Sequence, residues 1–292
     1  EPRETHLLIR RQRQRCIRDS RARDWWAQIT PVVRRGTLVL APARDRAELT
    51  RFARRTRAHV AVDERQIAAL EPELAGRFRA GLHFTEEGHL DPRRAIRDLA
   101  ARVQEMGVTL HCGTPAPSRV TLDCTGMAAP LPGLRPVRGE MAILHAPGVK
   151  ISRTLRLLHP RSPIYLVPRA DDHFMLGATM VESSASGAPT LRALSELMNA
   201  AYTLHPGLAE AAVVEVGAGL RPAFADNLPD LIWQDGTLYL NGLYRHGFLL
   251  APAMAARAAD ILIPETSTAD HPERTPPSHP RHHPHSPHGA AG

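Results

Sequence analysis

The residues best placed to do chemistry lie near the C-terminus. There Gly242-Leu243-Tyr244-Arg245-His246-Gly247 separates a strand pattern, Thr237-Leu238-Tyr239-Leu240-Asn241, from an Ala-rich helix over 248–262 with Pro252 in its first turn. A strand, a glycine loop and a helix start in succession bring free backbone N–H groups and a positive dipole end to one spot, which favours an anion. The same spacing also suits an ordinary strand-to-helix connection. A second segment, Gly217-Ala218-Gly219-Leu220-Arg221-Pro222, is not a dinucleotide fingerprint, because Pro fills its sixth position and no helix follows. Small residues leading to one arginine let a strand pass close to a ligand while the guanidinium grips a carboxylate through two parallel hydrogen bonds. A surface arginine at a strand end is the plainer alternative. A third, Tyr165 in Ile164-Tyr165-Leu166-Val167-Pro168-Arg169, is a tyrosine among aliphatic neighbours, fit for a core or for a pocket wall. The chain carries no Gly-x-Ser-x-Gly, H-E-x-x-H or Walker loop.

Elements of alternating type must position these residues. Thr37 to Ala41 is a short β-branched run and 44–57 a charge-laced helix. The clearest helix follows the N-cap Asp91, with Pro92 at its first position and an apolar stripe of Ala95, Ile96, Leu99, Ala100 and Val103 before Gly107 stops it. Val108-Thr109-Leu110 and Val120-Thr121-Leu122 then read as strands of a parallel sheet. The middle differs: 140–144, 164–168 and 173–179 are short strands between Pro, Gly and Asp turns, as an antiparallel sheet requires. A helix over about 190–202 follows, and 213–216 resumes the strand pattern. The class is α/β, mixed with α+β.

Length and composition exclude several functions. The 292 residues are 43% hydrophobic and 4% aromatic, which suits a folded chain, and no apolar window reaches the roughly 20 residues a membrane span needs. The net charge of +7 is local: residues 1–60 hold sixteen Arg against six acids, while the rest carries 21 basic against 24 acidic residues. Lys150 is the sole lysine, so the arginines reflect composition more than selection for phosphate contacts, and no nucleic-acid partner is expected. The arginine-dense leader, 1–23, reads as a solvated or non-native segment, with an RNA-binding arm or a transit segment as the alternatives. Residues 265–292, with six Pro and six His, read as a disordered tail, and Pro284 and Pro287 keep His282, His283, His285 and His288 from a shared metal. Cys16, Cys112 and Cys124 form no C-x-x-C pair, which suits a reducing cytoplasm.

Taken together, seven segments resemble one family in order: Gly88-His89-Leu90-Asp91-Pro92, Asp123-Cys124-Thr125-Gly126, Val137-Arg138-Gly139-Glu140, Tyr165 to Arg169, Gly177-Ala178-Thr179-Met180, Gly219-Leu220-Arg221-Pro222, and Gly242 to Pro252. They are similar to the FAD-dependent amino-acid oxidases of the D-amino-acid oxidase class, and most to the glycine oxidases of thiamine biosynthesis. The resemblance implies FAD, a Rossmann-like cofactor domain and an antiparallel sheet roofing the flavin. It implies that Arg221 holds the substrate carboxylate, that Tyr165 and Met180 line the pocket, and that Arg245 lies beside it. The amides of Gly242, Arg245, His246, Gly247, Phe248 and Leu249 would follow the flavin pyrimidine, with Thr125 and Gly126 near the cofactor phosphates. The implied reaction takes glycine or another small amino acid to the oxo acid, ammonia and hydrogen peroxide. Hydride transfer needs positioning and charge stabilisation more than an acid–base pair, so a site without a catalytic His or Glu is consistent with it.

The family's G-x-G-x-x-G turn is not found in residues 1–60. The expectation is therefore an N-terminally truncated or frameshifted member, with an incomplete FAD-binding domain (91–136 and 221–263) interleaved with a substrate domain (24–90 and 137–220). Losing one phosphate cradle would cost several kcal/mol of cofactor affinity, at about 1.5–3 kcal/mol per charge-assisted hydrogen bond. A flavin-free remnant without catalysis, or a related sarcosine or D-amino-acid oxidoreductase, are the competing readings. The sequence leaves the oligomeric state open, and the resemblance allows a homo-oligomer, since the class often assembles into dimers or tetramers.

Overall fold

The computed structural model describes residues 22–159 and 163–263. The expectations for the leader up to residue 21, for Cys16 and for the tail from residue 264 lie outside them.

Alternating burial builds one large mixed sheet. Its strands are β1 (Thr37–Leu40), β2 (Val60–Asp63), β3 (Ala80–Phe84), β5 (Arg135–His145), β6 (Thr154–Leu157), β7 (Ile164–Pro168), β8 (His173–Gly177), β9 (Val181–Glu182) and β10 (Ala212–Ala223), with β4 (Leu122–Asp123) elsewhere. The order is β10-β5-β8-β7-β6-β1-β3-β2, with β9 added on β5. All pairings are antiparallel except β1 with β6. One face is aliphatic: Leu38, Leu40, Leu155, Leu157, Leu166, Leu176 and Leu144 pack under Leu197, Ala201 and Leu204 of the helix α5 (Leu191–Leu204). Burying such side chains contributes about 1.5–3 kcal/mol each. The helices α1 (22–27) and α3 (Glu64–Leu70) are short, and on the opposite face the helix α2 (Arg46–Arg55) covers only the β1–β3 end, through Leu49 and Phe52. The β7–β8–β5–β10 end of that face is left for the site.

A second, three-stranded sheet joins β11 (Asp230–Gln234), β12 (Thr237–Asn241) and β4 in the order β11-β12-β4, with β12 and β4 parallel. The helix α6 (Gly247–Leu262) leaves β12 and packs on it through Leu250, Met254 and Ala258. The helix α4 (Pro92–Glu105) begins as its sequence dictates, with the Asp91 carboxylate accepting from the N–H groups of Arg93 and Arg94. Its first turn ties to β10 through the Arg93–Glu215 ion pair.

Three expectations need correction. Val108-Thr109-Leu110 forms no strand and lies exposed, because no described strand offers it a partner ladder. On α4 only Ala95 is buried, and Ile96 is 56% exposed, so the apolar stripe is only partly covered. Finally, α6 starts at Gly247, which puts Pro252 inside the helix instead of in its first turn. Proline has no N–H to offer the carbonyl four residues back. That carbonyl, Phe248 O, instead accepts from the indole Nε1 of Trp26 at 2.7 Å.

Candidate active site

Strand register sets the site face. Tyr165 on β7 pairs with Gly177 on β8, Gly177 with Met141 on β5, and Met141 with Gly217 on β10. Directly paired residues point to the same side of a sheet, so this row shares a face, and the next positions two residues on are the Gly139–Gly219 and Val137–Arg221 pairs. Glycines at 139, 177, 217 and 219 thus make a floor of low relief around the Met141 side chain, edged by Tyr165 and Arg221. A methyl group added at Gly219 would meet nothing within 4 Å. At Gly139 it would collide with the Arg221 guanidinium, at 2.0 Å from Nη2 and 2.1 Å from Cζ and Nη1. Arg221 lies across Gly139 because there is no Cβ in its way.

The guanidinium is anchored on one side. Arg221 Nη1 donates to the Thr179 carbonyl at 3.2 Å. Burial lowers its pKa, Tyr165 raises it, Arg245 lowers it and Tyr244 raises it, which places all three side chains within electrostatic reach. Burial likewise lowers the pKa of Arg169, whose Nη1 donates to Leu90 O at 3.0 Å.

The loop after β12 is held beside this cluster. Gly242 has φ +77, and a Cβ there would sit 2.4 Å from Cδ2 of Phe224, so only glycine fits the turn. Its N–H donates to the Asn241 side-chain oxygen at 2.8 Å, while the Asn241 amide donates to Gly126 O at 2.8 Å. Asparagine therefore clamps the ends of the parallel strands β4 and β12 together. At the β4 end, Asp123 accepts from both the backbone N–H and the hydroxyl of Thr125, fixing the Thr125-Gly126 turn, with Gly126 at φ +64. Tyr244 adopts φ +50, its N–H donates to Pro222 O at 3.0 Å, and its hydroxyl donates to the Met180 sulfur at 2.8 Å. Arg245 Nη1 reaches the same sulfur at 3.6 Å. No side chain caps the first turn of α6. Phe248 packs on Trp26 with ring centroids 5.2 Å apart and planes tilted by 45°, and Leu249 joins the same cluster with Ala95.

The structure thus brings Arg221, Tyr165, Arg245 and Met180 together, and sets the 242–249 loop beside Arg221 through the Tyr244–Pro222 hydrogen bond. Met180, 52% exposed, sits at the rim and not in the interior. Thr125 and Gly126 lie at the other end of the Asn241 clamp, where a Cβ on Gly126 would stand 3.7 Å from Cγ of Pro222, the residue after Arg221. Four contributors have site roles that local sequence does not reveal. Gly139 and Gly177 become floor only through register, Met141 likewise, and Asn241 only through a contact across 115 positions. The alternation of small residues in Gly217-Ala218-Gly219 was the one available signal of a floor.

Comparison with known proteins places the chain in a family and a fold. A protein-family model described as FAD dependent oxidoreductase matches residues 5–261. A thiamine biosynthesis oxidoreductase, ThiO, named in Rhizobium etli is 54% identical over 252 residues, covering 84% of this chain and 77% of the relative. The glycine oxidase of Bacillus licheniformis is 33% identical over 131 residues, 44% of this chain and 34% of the relative. Among solved structures, glycine oxidase from Geobacillus kaustophilus superposes with a TM-score of 0.68 at 19% identity, covering 85% of this chain and 77% of that one. The mixed α/β architecture is therefore that of the FAD-dependent oxidases. The chain belongs to the FAD-dependent oxidoreductase family.

Proposed function

We propose that this chain oxidises glycine or another small amino acid, in thiamine synthesis, with Arg221 as the carboxylate clamp. The observation that carries the reading is the guanidinium lying on a glycine floor, anchored at one nitrogen and flanked by Tyr165, Tyr244 and Arg245. The reaction removes two electrons and two protons across the Cα–N bond. The resulting imine is hydrolysed to the oxo acid and ammonia, and dioxygen leaves as hydrogen peroxide.

The residues present fit a flavin. Beside Arg221 the sheet face is open over Gly219, where a Cβ would meet nothing within 4 Å, and the first turn of α6, with no side-chain cap, offers amides to an electron-rich edge. Bound FAD supplies the two-electron acceptor. The chain's own part is positioning: Arg221 holds the carboxylate and so fixes Cα, while Tyr165 and Met141 bound the space beside it. Gly242, Arg245, His246, Gly247, Phe248 and Leu249 are the residues we assign to the pyrimidine edge, and Thr125 and Gly126 to the phosphate side. The name of the ThiO relative supports a place in thiamine synthesis, and that of glycine oxidase supports a small amino acid as substrate.

The test is reconstitution of the chain with FAD, followed by peroxide production from glycine, sarcosine and D-alanine. Peroxide from glycine, and an Arg221→Ala variant that retains flavin while its KM rises about 10-fold to 100-fold on loss of charge-assisted hydrogen bonds, are expected. A chain that stays colourless, or an Arg221→Ala variant losing flavin and substrate equally, refutes the assignment.

A further inference from the structure

Beneath the site, on the α5 face of the large sheet, lies a buried ion pair that the proposed reaction does not use. Arg138 is 4% and Glu140 1% exposed, and the guanidinium meets the carboxylate at 3.1 Å. Arg138 also donates to the carbonyls of Ala185 at 2.5 Å and Ala188 at 2.6 Å. Glu140 accepts from the Thr190 N–H at 3.0 Å and from the Thr179 hydroxyl at 2.8 Å. Burial pushes the Glu140 carboxyl upward, but Thr190, Thr179 and Arg138 together outweigh it and hold the group ionised below the ordinary range. Thr179 is bound three more times at this point: its N–H donates to Glu140 O at 3.1 Å, its hydroxyl oxygen accepts from Glu140 N–H at 2.9 Å, and its carbonyl accepts from Arg221. A buried ion pair costs desolvation, and here hydrogen bonds that run on to the residue holding Arg221 offset that cost.

We propose that Glu140 and Thr179 are positioning residues for the carboxylate clamp: the buried carboxylate holds the Thr179 hydroxyl and the Glu140 backbone holds the Thr179 N–H, so that the Thr179 carbonyl occupies one Arg221 nitrogen and aims the remaining N–H groups across the glycine floor. This rests on the assignment of Arg221 made above. Thr179→Val removes the hydroxyl while keeping side-chain volume and the Arg138–Glu140 pair, and Thr179→Ser restores the hydroxyl.

The experiment is calorimetric titration of the FAD-loaded chain with acetate, and with acetamide as the uncharged isostere, beside KM and kcat for glycine. Thr179→Val is expected to weaken acetate and raise KM about tenfold, the scale of one hydrogen bond to a charged group, with kcat and acetamide binding unmoved. Thr179→Ser is expected to bind acetate as the parent does. Should Thr179→Val fail to fold, Glu140→Gln is expected to weaken acetate in the same direction. Unchanged acetate binding in Thr179→Val or Glu140→Gln, alongside its loss in Arg221→Ala, overturns the positioning role alone. Unchanged acetate binding in Arg221→Ala overturns the clamp and the positioning role together.

Discussion

Replacing Gly139 by alanine separates the site from the fold. The added methyl would stand 2.0 Å from Arg221 Nη2, where ordinary van der Waals contact starts at 3.4 Å, so the guanidinium must retreat by the difference, about 1.4 Å. That movement breaks its 3.2 Å hydrogen bond to Thr179 O. The strand backbone has no positive φ at this position, and the atoms struck are the far end of a flexible side chain, so the fold absorbs the change. Removing a glycine from a strand interior even favours the folded state by about 0.5–1 kcal/mol. A misplacement near 1 Å in a reacting constellation costs up to about 100-fold in rate. Steady-state kinetics with glycine, run beside thermal denaturation, should give a KM at least about 10-fold higher with Tm unchanged or slightly raised. An unaltered KM would show that Arg221 does not act from the place it occupies over Gly139.

Other perturbations follow from single contacts. Gly242→Ala forces a side chain into φ +77 and against the Phe224 ring; we expect a loss of about 1–3 kcal/mol in denaturant unfolding, and a stability equal to the parent's would contradict the turn. Trp26→Phe keeps the aromatic packing but strips the donor from Phe248 O. An unsatisfied carbonyl there should cost about 1–3 kcal/mol, read by chemical denaturation. His89 has its pKa lowered by burial, by Arg169 and by Arg35, to about 4 from 6.5. Because the folded value lies below the unfolded one, stability is full above about pH 6.5, falls as pH drops through that interval and levels off below about pH 4. With the ring only part buried, we expect about 1–2 kcal/mol, seen as the difference between parent and His89→Asn unfolding curves over that range and nowhere above it.

What could be read in the sequence was local, and what could not was long-range. Asp91 and Pro92 announce the start of α4 by themselves, since capping needs only neighbouring residues. The strands over 164–168 and 237–241 stand where hydrophobic alternation puts them. The 108–110 segment shows the limit: β-branched residues suit a strand, yet a strand exists only beside a partner, and that information lies elsewhere in the chain. The same holds for Gly139, whose meaning depends on register with Gly219 and on the rotamer of Arg221. Pro252 is the opposite case. Proline favours a first turn on local grounds, but Trp26, 222 positions from the Phe248 carbonyl, supplies the donor that lets it lie deeper.

The account stands most directly on where a carboxylate rests. A crystal structure of the FAD-loaded chain with acetate is predicted to hold both carboxylate oxygens within hydrogen-bonding distance of the Arg221 guanidinium, over the Gly139–Gly219 pair. Acetate seated elsewhere, with Arg221 turned away from the flavin, would contradict it.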